Sequence, residues 1–131
     1  MMRGGHCVGH WSQTQTTIAL SSGEAELNAA LKGGAEMLGL RNLLDELGLT
    51  HSLVLLCDSS ACHGTLHREG SGRIKHFEIR QLWLQSKIKN NDLEYVKIPR
   101  ERNPSDSLAK PWTVDGAKHF EIIGFSAPKK P

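Results

Sequence analysis

The stretch SSGEAELNAALKGG, Ser21 to Gly34, carries two glutamates separated by a single alanine, Glu24 and Glu26, at the head of a helical pattern. Ser21 followed three residues later by Glu24 is a capping box: the serine oxygen accepts from the third helical N–H, and the glutamate reaches back to the chain before the helix. The helical spacing continues to Leu47, where Gly48 supplies a left-handed stop. In steps of three and four, Glu24 heads a polar row through Asn28, Lys32 and Glu36, which faces water. Glu26 heads a row through Ala30, Gly33, Met37, Leu40 and Leu44, which faces the core. A carboxylate at the top of a buried row is costly unless something there uses its charge. Glu26 is therefore the candidate for chemistry and Glu24 the structural residue, although a helix-end glutamate reaching solvent explains Glu26 as well. Gly33, Gly34 and Gly39 each weaken a helix by roughly 1 kcal/mol relative to alanine. Close approach to a sheet is the expected compensation.

Downstream, Leu53 to Cys57 is a run of five apolar residues without alternation, the pattern of a strand covered on both faces in an α/β sheet. It ends at Asp58. An aspartate directly after a buried strand can cap the next helix or project into a site at the strand's carboxyl end, and the two roles are compatible. A Gly-rich basic loop, HREGSGRIK, leads into a second amphipathic helix from about Ile74, with Ile74, Phe77, Leu84 and Ile88 on one side. Asn90 and Asn91 end it. A short strand, LEYVKI, then stops at Pro99, and RERNPSDSLAKP reads as a loop and the start of a helix.

At 131 residues and 38% hydrophobic content the chain suits one core. It has no apolar run of bilayer length and no secretory signal, so a soluble, intracellular protein without a membrane partner is expected, in cytoplasm or nucleus. Cys7, Cys57 and Cys62 are odd in number and irregularly spaced, which favours reduced thiols. The formal charge of +2 is unevenly placed. Residues 1–62 hold three bases and six acids, whereas residues 63–102 hold nine bases and five acids. An acidic part beside a basic part suits a site that holds metal and grips a polyanion.

Three acids stand out: Glu26 in the first turns of a helix, Asp58 at the end of a strand, and Asp106 in NPSDSLAK. With HWSQTQTTIALSSGEAELNAA, LLCDSSA, the KHFEIRQLWLQ block and NPSDSLAKP in this order, the chain resembles the ribonuclease H family. More narrowly, it resembles the ribonuclease H domain of copia-type (Ty1/copia) retrotransposon polyproteins, from Val8 to about Phe125. The resemblance implies an α/β ribonuclease H-like fold, a mixed sheet with helices packed on it. Residues 1–125 would be one domain, incomplete at its N-terminus, and residues 126–131 a tail. It also implies that Glu26, Asp58 and Asp106 are catalytic metal ligands for two Mg2+ ions, which serve cleavage of the RNA strand of an RNA/DNA hybrid. The family's first strand and its aspartate have no match, since the first twenty residues contain no Asp or Glu. The expectation is an N-terminally truncated domain with weak metal binding and little hydrolysis by this chain alone. Its open sheet edge would invite self-association. The upstream reverse transcriptase domain of a parent polyprotein is the further implied partner.

Recognition of a hybrid rests on phosphate contact and groove shape, and the candidates for it are Arg73, Lys75, His76 and Arg80. Each also fits a solvated basic helix face. Trp83 reads as core. Zinc at Cys57, Cys62, His63 and His67 has the wrong spacing for a finger or knuckle. No G-x-S-x-G elbow and no dinucleotide fingerprint occur. The competing functional class is a non-catalytic remnant of the same fold that binds nucleic acid or a protein partner.

Overall fold

The structure is a computed structural model that describes residues 1–4, 6–15, 18–68 and 79–108. In chain order its elements are β1 (Met2–Arg3), β2 (His6–Cys7), α1 (Ser22–Glu46), β3 (Val54–Cys57), α2 (Ser60–Leu66), α3 (Ile79–Lys89) and β4 (Glu94–Lys97). Two 3-10 helices follow, Arg100–Arg102 and Pro104–Leu108. The chain divides into two compact units, Gln15–Ile98 and Met1–Thr14 with the chain from Pro99 onward.

In the first unit β3 pairs with β4 in parallel, Val54 opposite Glu94 through Cys57 opposite Lys97. A parallel pair needs a crossover connection, and the segment between the strands contains α2 and α3. One face of the pair meets the core, in which Leu27 and Ala30 of α1, Cys57, Cys62, Leu66, Leu84, Leu93 and Tyr95 form one cluster. Polar ties reinforce it. Gln85 of α3 is buried and donates to the carbonyl of Thr65 in α2 at 2.7 Å, which accounts for an amide at an inward position. Arg41 donates to the carbonyl of Asp92 at 2.8 Å, tying α1 to the turn after α3.

Helix α1 starts and stops where the sequence predicts. Ser21 Oγ accepts from the N–H of Glu24 at 3.2 Å, and Glu24 Oε2 accepts from the N–H of Leu20 at 2.8 Å. At the other end Gly48 adopts φ +74°, and the N–H of Leu49 closes onto the carbonyl of Leu44 at 2.9 Å. Asn91, at φ 58°, turns the chain out of α3.

Four expectations need correction. The buried stripe of α1 is Leu27, Ala30, Gly34 and Leu38, so Glu26 sits beside this stripe and is exposed. Gly34 selects this rotation: a Cβ there would meet Leu84 Cδ1 at 3.0 Å and Leu93 Cδ2 at 3.4 Å, so the helix backbone lies close against both leucines at that residue. Strand β3 is covered on one face, with Val54 40% and Leu56 49% exposed on the other. Nor do the described strands form one mixed sheet. The parallel pair β3–β4 and the antiparallel pair β1–β2 are separate two-stranded sheets, in different units. In α3, Leu84 is buried as expected and Trp83 is on the outer side, 36% exposed.

The other unit contains the β1–β2 pair, Met2 opposite Cys7 and Arg3 opposite His6. The N-terminal ammonium donates to the carbonyl of Gly9, and the N–H of Val8 donates to the carbonyl of Met1 at 2.9 Å. Among the described residues no helix is long and apolar enough to cross a membrane.

Candidate functional site

At the carboxyl end of β3 the chain passes from Cys57 through Asp58 and Ser59 into α2. Ser59 is the cap of this helix: its Oγ accepts from the N–H of Cys62 at 3.2 Å. The capping role that Asp58 could have filled is therefore taken by its neighbour. Asp58 is left half-buried at the strand end.

Packing of α1 against α2 brings Glu26 to the same place. The helices meet at their N-terminal turns, where a Cβ on Gly23 would come within 2.9 Å of Ala61 Cβ. Glu26, Cys57 and Asp58 each direct one donor atom to a common region, and the three atoms lie within 4.8 Å of one another. Among the described residues this is the one group of three or more histidine, cysteine or acidic side chains so arranged. Burial grades across it, from the exposed Glu26 through the half-buried Asp58 to the buried Cys57.

The sulfur of Cys57 is surrounded by donors. It accepts from the N–H of Ser59 at 3.5 Å and from the Cys62 thiol. The Cys62 hydrogen bond, helped by Tyr95 and the Ser59 N–H against the cost of burial, lowers the Cys57 pKa to about 6. Cys62, fully buried and donating to that sulfur, is shifted upward. Tyr95 is 5% exposed, and its Oη has no regular hydrogen-bond partner. It lies against both thiols; burial first, and those sulfurs second, push its pKa up.

Glu24, by contrast, is engaged at the start of α1 as a cap and does not join the cluster. Asp106 belongs to the other unit. There it sits in the Pro104–Leu108 helix, its side chain 22% exposed, and Oδ1 accepts from Arg100 at 3.3 Å. Arg80 is exposed on α3; Arg73, Lys75 and His76 lie outside the described residues, as does the segment 126–131. The zinc set weighed from sequence does not assemble, and His63 instead stacks against His67 and Tyr95, with centroids 4.4 and 5.6 Å away.

Cys57, weighed from sequence only in a zinc set with Cys62, His63 and His67, was not placed with the two acids that it joins. Its signal was its place: the last residue of the strand, directly before the aspartate.

The chain is 36% identical over 108 residues, 81% of its length, to the Retrovirus-related Pol polyprotein from transposon TNT 1-94 of Nicotiana tabacum. It spans about 8% of the length of that protein. This similarity supports a retrotransposon polyprotein region. No family model and no solved structure matches.

Proposed function

We propose that this chain is a ribonuclease H-like domain of copia type, whose chemistry is divalent-metal-dependent cleavage of RNA in RNA/DNA hybrids. The observation that carries this reading is the meeting of Glu26 and Asp58, remote in sequence, at the carboxyl end of a parallel strand. The similarity to a retrotransposon Pol polyprotein supports it independently.

Carboxylate oxygens are the donors that a hard cation such as Mg2+ takes, and one exposed and one half-buried acid leave the region open to solvent and substrate. Glu26 and Asp58 would hold the ion. When bound, such an ion activates water and stabilises the leaving oxygen. The protein's own share is positional. Ser59 occupies the cap and so keeps the Asp58 carboxylate off the helix N-terminus, while the α1–α2 contact at Gly23 sets the height of Glu26. Arg80, exposed on α3, would contact phosphate, a sequence-independent role.

The test is cleavage of an end-labelled RNA/DNA hybrid in Mg2+ or Mn2+, with duplex DNA as control. Cleavage of the RNA strand that Glu26→Gln or Asp58→Asn removes is the expected result; cleavage indifferent to both changes overturns the assignment. A second reading has a specific observation behind it. Val54 and Leu56 are exposed on β3, which has one partner strand among the described residues, and this suits a non-catalytic module that binds a partner through its sheet. Binding of hybrid or protein without cleavage in either metal would favour it.

A further inference from the structure

Hard-cation chemistry does not use the third donor of the cluster, and core packing, in which Cys57 takes part, does not call for the groups around its sulfur. As a packing residue, Cys57 would serve equally well with an apolar environment around its sulfur. Its environment is polar: the Ser59 N–H at 3.5 Å, the Cys62 thiol and the Tyr95 hydroxyl, which is buried without a regular partner, act as donors, while the Glu26 carboxylate opposes negative charge on the sulfur and so favours a cation there. A buried O–H left unpaired is costly, and a sulfur carrying negative charge is the acceptor it lacks.

We propose that Glu26, Cys57 and Asp58 form a mixed oxygen–sulfur cation site that takes Zn2+ in preference to Mg2+, with Cys57 as a metal ligand and Tyr95 as the donor that supports its thiolate. The inference rests on the carboxylate site proposed above and changes the ion that it selects. Thiolate ligands favour zinc and cadmium, whereas Mg2+ takes oxygen. Zinc bonds to oxygen and sulfur at about 2.0–2.3 Å imply donor separations of roughly 3.3–3.8 Å in a tetrahedral site. The observed limit of 4.8 Å therefore closes by about 1 Å. Rotation of the exposed Glu26 and half-buried Asp58 side chains supplies that movement, and solvent supplies the remaining ligand. Binding releases the thiol proton to water.

The test is titration of the full chain with Cd2+, followed by its sulfur-to-metal charge-transfer absorption, with Zn2+ and Mg2+ as competitors. A one-to-one band is expected, displaced by stoichiometric Zn2+ and retained in a thousandfold excess of Mg2+. Cys57→Ser should abolish the band and weaken Cd2+ binding by about 100-fold, and Glu26→Gln and Asp58→Asn by about tenfold each. Cys7→Ser should leave it unchanged. Should Cys57→Ser fail to fold, Tyr95→Phe carries the test, with affinity falling by about tenfold. A band that survives Cys57→Ser, disappears in Cys7→Ser or ignores both carboxylates overturns the proposal. Hybrid cleavage that depends on Glu26 and Asp58 without any sulfur band would sink this inference alone. A band with the expected dependence but no cleavage would sink the nuclease reading and leave the site standing.

Discussion

Helices α1 and α2 begin in the same way and use their acids differently. Both start on a serine whose Oγ accepts from the third helical N–H, at 3.2 Å in each case. At α1 the nearby acid, Glu24, lies inside the first turn and folds back onto the N–H of Leu20, so the backbone consumes it. At α2 the acid, Asp58, precedes the cap by one residue and is not consumed. Whether a carboxylate serves the helix or the site is thus set by its offset from the capping serine. Glu26, two residues past Glu24, also escapes the cap, and it joins Asp58 because the two helix starts pack together at Gly23 and Ala61.

The strongest way to break this contrast is to neutralise the acids that the caps leave over. Asp58→Asn and Glu26→Gln should each lower metal-dependent hybrid cleavage by at least about 100-fold, the scale of losing one preorganised electrostatic contributor. Circular dichroism should be unchanged. Next comes the contact that joins the two starts. Gly23→Ala should destabilise by about 1–3 kcal/mol despite a better helix former, because Ala61 Cβ, 2.9 Å from the new methyl, is rigidly held. Urea unfolding measures this, and Ala61→Gly in the same chain should restore most of it.

The caps themselves give smaller effects and sharpen the distinction. Ser21→Ala and Ser59→Ala should each cost about 1 kcal/mol by urea unfolding. Only the second should also weaken Mn2+ binding, since Asp58 is then drawn toward the vacated cap. Glu24→Gln should be smallest, about 0.3–1 kcal/mol from lost charge at the helix start, with Mn2+ affinity unchanged. Metal binding sensitive to Glu24→Gln and indifferent to Glu26→Gln would invert the assignment of the two glutamates.

Local chemistry was readable in the sequence. The Ser21–Glu24 box, the Gly48 stop, the Asn91 turn and both strands of the parallel pair are where short-range rules put them. The rotation of α1 was not. With small residues on both sides of the helix, at Ala30, Gly33 and Gly34, periodicity alone admits two faces, and the choice falls to Leu84 and Leu93, which press against Gly34 from distant segments. Glu26 was therefore selected for a burial it does not have, and its place in the cluster comes from its height on the helix. Likewise the apolar run at Val54 and Leu56 suggested two covered faces, whereas coverage depends on which other segments arrive. Cys57 gained its meaning from Cys62, Tyr95 and Glu26, and no local pattern announces that meeting. Asp106, chosen by resemblance, resides in the other unit with Arg100 beside it.

The parallel pairing of Val54–Cys57 with Glu94–Lys97 has a kinetic side. On the ribosome, β3 emerges before its partner has been made, and about 40 further residues at 5–20 per second amount to roughly 2–8 s of synthesis. Helix α1 needs only microseconds to form, so it is ready long before the ladder. Throughout that interval the backbone groups and leucines of β3 await a partner, which makes this strand the point at which a nascent chain is most exposed to aggregation or to chaperone capture.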